Sequence, residues 1–439
     1  MKRSQWGSRL GFILASVGAT VGLGSIWKFP YVTAVNGGGV FLLVFIALTF
    51  SLGLALMLAE FAIGRHARCG AVSAFRRLGG GAWPLVGYAG VVAGFLVLSF
   101  YSVVGGWTLG YLLRAFDGRV MSQDPQALAA LFGQYVGSPV EPVITHALFI
   151  ALTLGVVMAG VKSGIERLGK LLMPALFVLM LVLIVRSMTL PGAANGVAQF
   201  LAPDFSKLTP AMLVDALGLA FFSLSVGAGC MLAYGSYLDE KVKLANSALW
   251  VCGLTTLTSV LAGLMIFPAV AAFGLEAAAG PGLTYMTMPV VFNHLPFGQG
   301  FAIAFFALLL FAALTSSVSM LELIVVLPID EWGIDRRRAT LVVGGLVFLA
   351  GVPAALSFGV LSEFKLAGRN VFELMDYAAS NILLPLGGIG TALFAGWKLW
   401  PAVRAELALE PASLSALAMK WTSRIVAPLL IGLILVWNL

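Results

Sequence analysis

Charge is what this 439-residue sequence has least of: Asp, Glu, Lys and Arg make up 10% of it, against 60% hydrophobic residues. A water-soluble domain of this length has too little interior to hide so much apolar surface. A soluble globular fold is therefore excluded, and a polytopic α-helical membrane protein is indicated, with mean hydropathy +1.01. Cysteine is scarce as well. Cys69, Cys230 and Cys252 fall in a predicted loop or inside apolar runs, which leaves no disulfide framework. The three histidines, His66, His146 and His294, are scattered without metal-ligand spacing. No nucleophile elbow or phosphate-binding loop occurs either, so an enzyme is not expected. No Asn-x-Ser/Thr acceptor is present, which favours a bacterial source. The first apolar run continues from Leu10 into a full span, so a cleaved signal peptide is not expected.

The apolar residues fall into eleven runs long enough to cross a bilayer, at 9–33, 38–64, 84–116, 142–160, 165–187, 211–237, 244–274, 298–328, 339–357, 371–396 and 423–438. Basic residues cluster on alternate connections, among them Arg65, Arg68, Arg76 and Arg77, then Lys162, Arg167 and Lys170, then Arg336, Arg337 and Arg338. That asymmetry predicts a cytoplasmic amino terminus and explains the formal net charge of +7 without a nucleic-acid partner. The chain is surrounded by lipid, and its oligomeric state is not legible.

Two runs are interrupted by small residues: VGATVGLGS at 17–25 in span 1 and SLSVGAG at 223–229 in span 6. Glycine frees the backbone from helical angles. In hydrocarbon that freedom is costly unless the unpaired backbone lines a cavity. Two interruptions five spans apart predict a 5+5 inverted repeat, with the second half running in opposite topology. The expected division is 1–190 for spans 1–5, 191–400 for spans 6–10, and 401–439 for a cytoplasmic linker and span 11. Glycines that merely allow close helix packing are the alternative reading.

The segments VGLGSIWKFP (21–30), NGGGVF (36–41), EFAIGR (60–65), GWTLG (106–110), FFSLSVGAG (221–229), AYGSY (233–237), FPAVAAFG (267–274) and LTSS (314–317) occur in order along nearly the whole chain. Together they resemble the neurotransmitter:sodium symporter family, most of all its bacterial amino-acid transporters. The resemblance implies sodium-coupled import of an amino acid by alternating access. It also implies that the N–H groups of Leu23 and Gly24, with the Tyr101 hydroxyl, hold the substrate carboxylate. The ammonium would meet carbonyls of Thr20, Phe222 and Ser223 and the Ser225 hydroxyl. Gly22 stands where monoamine-carrying relatives have an aspartate, which points to an amino acid. Val97, Phe222, Ser225, Ala228, Ser316 and Met320 would line the side-chain pocket. Relatives are usually bulkier at the Ala228 position, and methionine adapts its shape, so the expected side chain is large and apolar or aromatic.

For sodium the resemblance implies a second site built from Thr315, Ser316 and carbonyls of Gly18, Val21 and Ala312. The first site departs from the family, with Ser25, Thr255 and Ser223 beside Thr20, hydroxyls in place of an amide or carboxylate. Its chloride-linked positions read Phe45, Leu219, Ser223 and Ser259. One or two sodium ions are therefore expected, and chloride is not. Lys28 and Asp376 match an outer closing pair; Arg3, Trp6, Ser236, Tyr237 and Asp330 match an inner gate. Glu60 is expected to contact the unwound backbone of span 6. Glu322 lies seven residues past Thr315 on the same helix face, about 10 Å further along. Buried, it would favour its neutral form, through a structural hydrogen bond or a proton-linked step. A single-sodium or proton-coupled carrier and a substrate-gated channel or receptor remain open beside the leading reading.

Overall fold

The computed structural model describes residues 4–122, 124–274 and 282–438. Among the described residues nine helices are long and apolar enough to cross a membrane: Gly39–Ala67 (span 2), Pro84–Phe116 (3), Glu141–Met158 (4), Val161–Met188 (5), Leu244–Ala272 (7), Gly298–Trp332 (8), Arg336–Leu356 (9), Val371–Lys398 (10) and Leu414–Trp437 (11). The two remaining spans are broken. Span 1 is Arg9–Thr20 followed by Gly24–Val35, bent by 57°. Span 6 is Pro210–Ser223 followed by Cys230–Gly235. The last span begins earlier than its apolar run, because Ser413 caps the helix by accepting from the Ala416 N–H.

Local chemistry explains each break. Span 1 remains helical through Thr20, and the gap is Val21–Leu23, shorter than the small-residue run suggested. The chain then re-enters through a π-helical turn, Gly24–Lys28, and Pro30 lies in the first turn of the helix that follows. In span 6, Ser225, Gly227 and Gly229 adopt φ of 52°, 92° and 88°. No right-handed helix passes through such angles, and two of the three positions are glycine for that reason.

Spans 3 and 8 form the most extensive helix pair and stand at the centre. The first half of span 1 packs against spans 5, 7 and 8, and the second half of span 6 packs against spans 2 and 8. The approach of span 2 is close: a Cβ on Gly64 would lie 2.0 Å from the Leu232 carbonyl oxygen. Spans 5, 9 and 11 turn rows of leucine and valine outward, among them Val185, Leu349 and Val436, as lipid-facing helices do. All three cysteines are free and buried.

Candidate binding site at the two helix breaks

A cavity of about 580 Å³, counting its open mouth, lies between the breaks. Thr20, Gly22, Gly24, Val97, Tyr101, Phe222, Ser223, Ser225, Ala228, Ser316 and Met320 all line it. Leu23 is turned away and buried, and its N–H donates to the Tyr101 hydroxyl at 3.2 Å. The wall also contains Gly94, Phe221, Cys230 and Leu384, which the sequence did not single out. Gly94 carried a usable signal, since it lies three residues before Val97 and so on the same helix face. Leu384 did not: only the tertiary approach of span 10 brings it there.

The breaks supply the polar groups. The helix that restarts at Gly24 directs its first N–H groups into the gap, where an anion is favoured. The Ser225 hydroxyl donates to the Ala19 carbonyl at 2.9 Å and so ties the two breaks together. Among the described residues the Ser223 hydroxyl is buried without a partner. A Cβ on Gly22 would lie 2.7 Å from Ser316 Oγ and 2.8 Å from the Tyr101 hydroxyl; one on Gly24 would lie 2.6 Å from the Phe222 ring. Gly24→Ala is therefore expected to displace Phe222 and cut uptake at least about tenfold with little loss of stability, checked by initial rates and thermal melting.

Two sets of oxygens flank the cavity, and they differ. In the first, Ser316 Oγ lies 3.0 Å from the Gly18 carbonyl, and Thr315 Oγ1 lies 3.1 Å from the Ala312 carbonyl. Val21, with ψ of 80°, has left the helix, and its carbonyl is freed from the ladder. Spans 1 and 8 touch here, since a Cβ on Gly18 would lie 2.9 Å from Thr315 Cβ. Carbonyls and hydroxyls converging from two helices suit a hard cation. In the second set, Thr20 Oγ1 and Thr255 Oγ1 are 2.5 Å apart. Ser25 Oγ donates to the Thr20 carbonyl at 3.4 Å, and Thr255 Oγ1 donates to the Val251 carbonyl at 2.8 Å. A hard cation holds oxygens at about 2.3–2.6 Å, so two ligands at right angles stand at least about 3.3 Å apart. The Ser316–Gly18, Thr315–Ala312 and Thr20–Thr255 contacts are all hydrogen bonds shorter than that, so either set would have to open to take an ion. Spans 1 and 7 contain no Asp or Glu, and Ser259 donates back to the Thr255 carbonyl at 3.3 Å. In the second set Thr20, Ser25 and Thr255 bond one another or backbone carbonyls.

On the amino-terminal side the cavity is shut. The Trp6 indole donates to the Tyr234 carbonyl at 3.0 Å, its backbone N–H to the Tyr237 carbonyl at 3.3 Å, and its ring meets Tyr234 edge-on. Ser236 donates to the Ala233 carbonyl, and Asp330 accepts the Gly70 N–H at 2.6 Å. Arg3, expected beside them, lies outside the described residues. On the opposite side a wetter cavity of about 1100 Å³, including solvent at its mouth, contains Lys28, Asp215 and Ser380. Phe221, Phe222, Val226 and Leu384 line both cavities and so partition them. The expected Lys28–Asp376 pair is not formed. Lys28 Nζ stands 4.9 Å over the Phe222 ring, and Asp376 accepts the Ser380 hydroxyl at 2.7 Å. With a wet space between spans 1 and 10, each charge takes its nearest partner.

Glu60, wholly buried, accepts the Gly227 N–H at 2.7 Å and the Leu232 N–H at 3.2 Å, bracing the span 6 break from both sides. Glu322 makes the expected structural hydrogen bond and has a partner the sequence did not announce, Arg336, whose two terminal nitrogens both bond it. The hydrogen bond comes from the Tyr237 hydroxyl, at 2.6 Å. The reversal at Gly333, φ 64°, folds the start of span 9 back alongside span 8 and brings the arginine in.

A family model described as the sodium:neurotransmitter symporter family matches residues 3–124 and 134–438. A sodium-dependent transporter of Bacillus subtilis, YhdH, is 43% identical, over 91% of this chain and 88% of its own length. A Haemophilus influenzae sodium-dependent transporter is 35% identical over 100% of this chain and 98% of its own. The human sodium- and chloride-dependent GABA transporter 2 is 28% identical, over 90% and 73%. The crystal structure of MhsT in complex with L-phenylalanine superposes with a TM-score of 0.92 at 42% identity, covering all of both chains.

Proposed function

The chain belongs to the sodium:neurotransmitter symporter family and is a sodium-coupled secondary transporter, not an enzyme; we propose that it imports a large apolar or aromatic amino acid together with a single sodium ion. The observation that carries the cargo assignment is the cavity wall. Gly94, Val97, Phe222, Ala228 and Met320 offer an apolar compartment with no ionised side chain. A zwitterion's own charges are met by backbone instead. Its carboxylate faces the N–H groups of Leu23 and Gly24 and the Tyr101 hydroxyl; its ammonium faces carbonyls of Thr20, Phe222 and Ser223 and the hydroxyl of Ser225. A phenylalanine bound to MhsT supports the same class of ligand here.

The single ion is assigned to Gly18, Val21, Ala312, Thr315 and Ser316. The absence of acids on spans 1 and 7 argues against a second ion among Thr20, Ser25, Ser223 and Thr255. Chloride has no assigned role, because Phe45 and Leu219 offer it no donor. The distribution of basic residues supports a cytoplasmic amino terminus in a bacterial inner membrane, so Trp6, Ser236, Tyr237 and Asp330 close the cytoplasmic exit. On this reading residues 1–190 and 191–400 are the two repeats, and 401–439 a cytoplasmic linker and span 11.

Uptake into proteoliposomes tests all of this. Phenylalanine, tryptophan and leucine should compete better than glycine or alanine. Uptake should need a sodium gradient, rise hyperbolically with sodium, and persist when gluconate replaces chloride. The membrane potential alone contributes about 2.3 kcal/mol per 100 mV for one accompanying charge. A sigmoidal sodium curve would overturn the single ion, and flux driven by protons without sodium would overturn the coupling.

A further inference from the structure

The amino-terminal end of span 1 is held from two directions. Trp6 fastens it to span 6, as described. On the other side the holder is Glu166 of span 5, whose side chain is 3% exposed and which the transport site does not use. Its Oε2 accepts the Gly7 N–H at 2.6 Å. Its Oε1 accepts the Ser8 hydroxyl at 2.9 Å and the Lys170 ammonium at 2.6 Å. Ser8 Oγ accepts the Gly11 N–H at 3.0 Å, which makes Ser8 the cap of span 1. A Cβ on Gly11 would fall 2.2 Å from Glu166 Oε1, and one on Gly169 3.1 Å from Ala15 Cα. The two helices therefore approach through backbone, with the carboxylate lying between them at Gly11. Glu166 also closes the π-helical turn Val161–Glu166, which begins after Gly160 at φ 92°.

We propose that Glu166 is a positioning residue for transport: a latch, separate from Trp6, that fastens the first half of span 1 to span 5 and holds the central cavity closed toward the amino-terminal side. The inference rests on the alternating-access reading. Ser8 alone would cap the helix, and a buried carboxylate is a costly way to repeat that task. What the charge adds is a bond between two helices that is strong while made and is lost as a unit. Moving span 1 away separates Gly7 and Ser8 from Glu166 together and leaves the acid to Lys170. Otherwise the first turn of span 5 must move with span 1.

Cys230, 2% exposed and lining the cavity, reports the closure. In a Cys69→Ala/Cys252→Ala background, inside-out vesicles are treated with a membrane-impermeant maleimide, with and without sodium. Sodium should slow labelling of Cys230 in that background. Glu166→Gln should speed labelling in sodium about tenfold, the effect of one hydrogen bond to a charged group. Ser8→Ala should move it the same way by less, and the double variant should add little to Glu166→Gln. If Glu166→Gln fails to insert, Ser8→Ala alone decides. Labelling at the background rate in these variants, while the background still responds to sodium, overturns the latch. A background that ignores sodium overturns the alternating-access reading, and the latch with it.

Discussion

Glu60→Gln is expected to lower uptake at least about a hundredfold while the protein still inserts, because it removes an acceptor that bridges the break in the ladder of span 6. One oxygen accepts from Gly227, within the break, and the other from Leu232, in the helix beyond it. A carboxylate accepts at both ends; an amide accepts at one and brings an N–H up against a buried N–H at the other. An unsatisfied buried donor costs about 1–3 kcal/mol. The segment Leu224–Gly229 would settle differently, and with it Ser225 and Ala228 of the cavity wall. Glu60→Asp keeps both acceptors on a shorter reach and should fall between. Initial rates of phenylalanine uptake, read beside thermal melting in detergent, check the ordering. A glutamine variant that transports normally would mean that the break needs no outside support.

The breaks themselves were legible in the sequence. Glycine is informative at membrane depth, where an unpaired amide has no water to turn to. Two such interruptions five spans apart said more than either alone, and the family motifs gathered the cavity residues around them. Less legible was anything decided by which side chain a neighbouring helix presents. Leu384 reaches the cavity from span 10 and Glu166 reaches span 1 from span 5, with no local spacing to announce either. Lys28 and Asp376 were expected to pair, yet a long lysine and an acid choose partners by local geometry. The lysine chose the Phe222 ring. Arg336 was counted among loop charges because sequence shows a loop's composition, not the direction in which it folds back.

That arginine sets the other large effect. Removing one partner of the Glu322–Arg336 pair should cost about 3–5 kcal/mol of stability, since it leaves an uncompensated buried charge. The two single variants should not be equal. Glu322 is 0% exposed and Arg336 23% exposed, so Arg336→Met, which strands the carboxylate, should melt lower than Glu322→Leu, which leaves the arginine able to reach water. The double variant Glu322→Leu/Arg336→Met should recover most of the loss, because two apolar side chains of similar volume replace two desolvated charges. Stability and transport should then separate. The Tyr237 hydroxyl, which now donates to Glu322 at 2.6 Å, has no acceptor there in the double variant. Tyr237 also packs edge-on against Trp6, so the seal on the amino-terminal side should loosen even where the melting temperature is restored. Cys230 labelling and uptake rates on the double variant read that separation. If labelling returns to the parental rate together with the melting temperature, the pair is a structural brace alone. If labelling stays fast in a protein as stable as the parent, the charges serve the gate by holding Tyr237 in place.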